Sequence, residues 1–147
     1  MRKVYAGLAI LLMLAVVVQF FLAASGAFDT APKDEAFGAH RALGYGTVLL
    51  AVLTTVAAAL ARVPGRLLGT AGLVAVLAIV QGVIRGVAAA VGETATAGQL
   101  IFGLHAVNGL VIMALVGMVV RQARELSRSA APTGDSGSAA RPAQAAS

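Results

Sequence analysis

The sequence predicts an all-α, multi-pass membrane protein, an up-down bundle of four transmembrane helices with both termini in the cytoplasm. Three observations predict this. Of the 147 residues, 59% are hydrophobic and only 12% charged, whereas a soluble domain carries roughly 45–50% and 25%. Four apolar stretches, about 4–25, 39–61, 67–91 and 99–120, each reach the roughly 20 residues that cross a bilayer. The basic residues Arg2, Lys3, Arg62, Arg66, Arg121, Arg124 and Arg128 all fall on the side shared by the N-terminus, the 62–66 turn and the tail, which is the positive-inside pattern. Asp29, Asp34, Glu35 and Glu93 fall in the two opposite loops. The expected location is the cytoplasmic membrane of a bacterium.

The first span opens the chain as "MRKVYAGLAILLMLAVVVQFFLAASGA". Its apolar core exceeds the roughly 7–15 residues of a signal peptide, so it reads as a retained helix although Ser25 and Ala27 are small enough for a cleavage site. A polar loop at 26–38 leads to the second span, which begins within "FGAHRALGYG". Helical spacing places His40, Gly44, Thr47, Ala51, Thr54 and Ala58 on one face. None is bulky, and small residues with hydroxyls mark the packed faces of membrane helices, because lipid gives apolar side chains no reason to associate.

After the "RVPGR" turn, the third span carries Gln81 and Arg85 one turn apart, with Gly82 and Gly86 at small-xxx-small spacing. Arg85 lies about six residues inside the apolar run, roughly 9 Å from its end. A charge at that depth marks a functional site by default, the alternative being that it snorkels to the headgroups or pairs with Glu93. The fourth span follows a loop at 92–98 and carries His105, Gly109 and Ile112 on one stripe, with Asn108 beside it. Residues 1–126 thus make the bundle. The small, polar, Pro- and Gly-containing segment 127–147 reads as a disordered cytoplasmic tail, lacking the apolar surface needed to fold.

The net charge of +5 follows from the arginines at the inner helix ends, so nucleic acid is not an expected partner. Absence of cysteine excludes disulfides and Cys-ligated metals. "VVVQFF" in the first span echoes "AIVQGV" in the third, and "HRALG" echoes "HAVNG". If each half carries Gln outbound and His-x-x-x-Gly inbound, the halves are parallel repeats about an axis along the membrane normal. His40 and His105, the only two histidines, then stand on opposite sides of one bundle.

Two imidazoles, small residues lining the gap and a deep arginine match what haem needs: neutral axial nitrogens on both faces and cationic partners for its propionates. His40 and His105 are the expected axial metal ligands of a haem b. Arg41 or Arg85 is the expected propionate contact, and Gly44 and Gly109, one turn below each histidine, form the recess for a flat ligand. Zinc would want four tetrahedral ligands, and only loop acids could complete that set. Counting from the inner arginines, His40 lies 22 residues above Arg62 and His105 only 16 above Arg121, an expected mismatch of roughly 9 Å in depth for upright helices.

His40-Arg41-Ala42-Leu43-Gly44 at the outer start of a second helix, with His105 near the outer start of a fourth, resembles one four-helix half of haem A synthase. The resemblance covers residues 1–121 and implies axial ligation by His40 and His105 with Arg41 as a neighbouring contact. That family carries a catalytic Glu three residues before the first histidine; Phe37 stands there in this chain and the nearest acid is Glu35. Haem binding is therefore implied, and no catalytic residue is assigned. The layout is also similar to that of small uncharacterised four-helix bacterial membrane proteins.

The leading expectation is an integral membrane haem b protein exchanging electrons near the outer face with a quinone, an outer redox partner or a second copy in a homodimer. Two other readings stand beside it. One is a structural or assembly protein whose histidines and Arg85 only satisfy packing. The other is a small-molecule or proton pathway through Gln19, Gln81 and Arg85.

Overall fold

The computed structural model describes residues 1–92 and 95–128 of the chain. Among these residues there are five helices: α1 (Arg2–Phe28), α2 (Lys33–Ala36), α3 (Gly38–Leu60), α4 (Gly65–Val91) and α5 (Thr96–Arg128). The four long ones are long and apolar enough to cross a membrane, making this a multi-pass helical membrane protein. The helices overrun the expected spans. α1 takes in residues 26–28 of the expected loop, α2 forms inside that loop, and α5 extends to Arg128, two residues into the segment expected as tail. Residues 129–147, the rest of that tail, lie outside the described residues.

Each long helix neighbours two others: α1 packs on α3 and α5, and α4 packs on α3 and α5. α3 and α5 are therefore diagonal partners, as are α1 and α4. The sequence dictates which faces meet. Tyr5, Ala9, Leu12 and Val16 form the buried stripe of α1, and Thr47, Ala51, Thr54 and Ala58 that of α3, the face predicted from spacing. Thr47 and Thr54 return their hydroxyls to the carbonyls of Leu43 and Leu50, 2.9 and 2.7 Å away, which satisfies both inside the helix. Val74, Ala78, Val116 and Val119 complete the core. Large residues such as Leu49, Leu53, Ile79 and Leu110 point outward, as expected where the surroundings are lipid.

The connection between α3 and α4 is tight. The Val63 amide donates to the Ala58 carbonyl at 3.2 Å and the Arg62 amide to Ala59 at 3.0 Å, a Schellman closure in which Arg62 takes the left-handed conformation at φ 50°. Pro64 then caps α4, where its missing N–H costs nothing. At the opposite end, α4 stops at Gly92 with φ 110°. The Gly92 carbonyl lies so near Gly98 that a Cβ there would sit 2.1 Å from it. Two glycines thus let α4 and α5 converge at the end of the bundle where the histidines lie.

Candidate functional site

His40 enters from the first turn of α3 and His105 from the upper part of α5. Although their helices are diagonal partners, the two ring centroids stand only 6.2 Å apart, with the planes inclined by 56°. The expected depth mismatch is absent. That expectation takes Arg121 as the inner end of the last helix, but α5 continues to Arg128, so Arg121 does not mark that boundary.

Each ring is oriented by the helix beside it. His40 Nδ1 lies 3.0 Å from the backbone oxygen of Gln19 on α1, and His105 Nδ1 lies 3.3 Å from that of Gln81 on α4. A carbonyl can only accept, so both Nδ1 atoms carry the proton and donate it. In the neutral imidazole this leaves Nε2 as the unprotonated nitrogen of both rings, the tautomer that ligates metals. The glutamine side chains lie over the glycines one turn on: a Cβ at Gly44 would be 3.1 Å from Gln19 Nε2, and one at Gly109 would be 3.3 Å from Gln81 Nε2. The same Gln–His–Gly arrangement is therefore built twice, across the centre of the bundle.

The structure adds a third matched member that the shorter echo missed. Phe37 meets His40 edge-on at 6.2 Å, and Phe102 stacks on His105 at 5.3 Å with planes 7° apart. Both stand three residues before their histidine. The full repeat is Phe-Gly-x-His-x-x-x-Gly, "FGAHRALG" against "FGLHAVNG", and that longer match was available in the sequence.

Three polar side chains, Asn108, Arg41 and Arg85, have no counterpart in the other half. Asn108 donates to the Leu77 carbonyl at 2.9 Å and to Gln81 Oε1 at 3.1 Å. Its counterpart three residues after His40 is Leu43, and Gln19 Oε1 is buried with no partner among the described residues. Arg41 turns to α2, its Nη1 3.4 Å from Asp34 Oδ1 and its Nη2 bonded to the Asp34 backbone oxygen. Arg85 lines the same cavity as the histidines and forms no ion pair with a described carboxylate; Glu93, its expected alternative partner, lies outside the described residues.

Both histidines, both recess glycines and both arginines border one cavity of about 1180 Å³, above the roughly 300–1,000 Å³ of ordinary small-molecule sites. Among the described residues no three His, Asp or Glu side chains gather as a metal cluster. Two imidazoles alone suit a metal whose remaining positions are filled by its own macrocycle. A metal sits about 2.0–2.1 Å from an imidazole nitrogen, so two rings that hold one metal between them must stand close together. The observed spacing of 6.2 Å fits that requirement, and the orphaned Gln19 oxygen is a polar atom left for a ligand to meet.

No curated protein and no solved structure matches the chain. Residues 19–90, from Gln19 through α3 to the end of α4 and so including Gln19, His40, Gln81 and Arg85, match a family of unknown function (DUF6220).

Proposed function

We infer that this protein binds haem b in the cytoplasmic membrane between His40 and His105, near the outer face, and serves electron transfer there. The observation that carries the reading is the pair of imidazoles 6.2 Å apart, each with Nδ1 fixed by a backbone carbonyl. His40 and His105 would hold the iron, Gly44 and Gly109 make room for the Gln19 and Gln81 side chains beside the two rings, and Phe37 and Phe102 pack on those rings. Bound haem supplies a one-electron couple. Lying near one surface, the site exchanges electrons with a quinone, an outer redox partner or a second copy rather than across the whole bilayer.

Orientation follows from charge. The turn holding Arg62 and Arg66 lies at the end of the bundle away from the histidines, and Arg2, Lys3 and Arg124 belong to that end as well. The positive-inside rule puts it in the cytoplasm, together with both termini.

The test is an absorption spectrum of the full chain purified in mild detergent after addition of haem. A low-spin Soret band that shifts on reduction is expected, and His105→Ala should abolish it; an unchanged band in that variant removes His105 from the site. The contacts of Nδ1 also favour a second reading, a structural or accessory membrane protein. In that reading the histidines only brace α3 to α1 and α5 to α4, and the wild-type chain takes up no haem.

A further inference from the structure

The two-fold character of the site raises a question that the histidines cannot answer: which way round does a ligand with one acidic edge lie? Matching the halves by their repeat, residue by residue, shows where the symmetry breaks. Four residues after Gln81 stands Arg85, whereas four after Gln19 stands Ala23; next to His40 stands Arg41, whereas next to His105 stands Ala106. Each half therefore holds one arginine with no counterpart, and the two are not equivalent. The Arg41 guanidinium is already paired with the Asp34 carboxylate and bonded to the backbone of the same residue, so its charge is met and both of its terminal nitrogens are turned to α2. Arg85 borders the cavity one turn beyond Gln81, the residue whose carbonyl holds His105, and no described carboxylate meets its charge. The diagonal partner of α4 is α1, and the α1 wall of the cavity offers Val16, Phe20, Ala23 and the amide of Gln19, with no cation.

Resting on the haem reading above, we propose that Arg85 alone receives the carboxylates of the bound tetrapyrrole. The ligand then lies in a single orientation, its acidic edge toward α4 and its apolar edge toward α1. A guanidinium meets a carboxylate through two parallel N–H donors. Arg41 is a positioning residue that ties α2 to the start of α3.

The experiment compares protohaem IX with its dimethyl ester, which keeps the iron and macrocycle and loses both charges. Each is titrated into the full-length protein in lipid nanodiscs and followed by its absorption band, for the wild type, Arg85→Leu, Arg85→Lys and Arg41→Leu, with helix content checked by circular dichroism. Wild type should bind the free acid about tenfold or more tighter than the ester. Arg85→Leu should bring that ratio to about one through loss of affinity for the acid alone, Arg85→Lys should keep part of it, and Arg41→Leu should leave it unchanged. A wild-type ratio surviving in Arg85→Leu, or lost in Arg41→Leu, overturns the proposal while leaving haem binding intact. Failure of both compounds to give a histidine-dependent band in the wild type overturns the haem reading and this proposal together.

Discussion

The rings of His40 and His105 stand 6.2 Å apart on diagonal helices whose backbones do not come close to each other. Holding two imidazoles on diagonal helices at the same depth needs both helix positions and both ring angles fixed. The Gln19 and Gln81 carbonyls fix the rings, while α1 and α4, packed between the diagonal pair, fix the helices.

If the imidazoles ligate a metal rather than brace helices, free imidazole should replace one. In His105→Gly the low-spin spectrum is expected to collapse and to return when imidazole is added to the haem-loaded protein. A bracing role predicts no return, because a diffusing ring restores no link between α5 and α4. Absorption spectra across an imidazole titration decide between them.

Gly44 and Gly109 differ in what an added methyl would disturb. At Gly44 it meets Gln19 Nε2 at 3.1 Å, and the Gln19 side chain has no protein hydrogen bond to lose at its oxygen. At Gly109 it meets Gln81 Nε2 at 3.3 Å and Phe20 at 3.4 Å, and Gln81 is held by Asn108. Alanine gains about 1 kcal/mol of helix propensity at either site. Gly44→Ala should therefore be close to neutral in a thermal melt, and Gly109→Ala destabilising by about 1–2 kcal/mol.

The fold was legible because its signals are long: four apolar runs, and on α3 a stripe of small residues that became the buried face of Thr47, Ala51, Thr54 and Ala58. The pairing of His40 with His105 was legible through their repeat. The pairing of Arg41 with Asp34 was not legible, because it depends on α2, a single turn of helix inside a polar loop where no periodicity announces it. The length of α5 was missed for a related reason. Its last turns beyond Arg121 are charged and leave the apolar pattern, yet Val119, Val120 and Ala123 stay buried against the bundle and carry the helix on.

The orphaned oxygen of Gln19 gives opposite signs for two matched substitutions. Gln19→Leu removes a buried acceptor that has no protein donor, so the haem-free protein should gain up to about 1 kcal/mol. Gln81→Leu strips Asn108 of one partner and should cost about 1–3 kcal/mol. Both leave the backbone oxygens that hold the histidines. Thermal melts of the two variants in one detergent measure the contrast, and equal losses would show that the halves are energetically alike.

Gly98 is the position at which the hairpin of α4 and α5 tolerates least. A Cβ there would lie 2.1 Å from the Gly92 oxygen and 3.0 Å from the Gly92 carbonyl carbon; both are backbone atoms, which cannot turn aside as a flexible side chain would. Gly92 itself holds a positive φ of 110°, a conformation that glycine adopts far more readily than other residues. Gly98→Ala must push the start of α5 away from the end of α4, and the displacement carries Phe102 and His105, which lie one and two turns further along. The expected loss is about 3 kcal/mol or more, seen as a lowered melting temperature, together with weaker haem uptake than in Gly103→Ala, where an added methyl meets only open space.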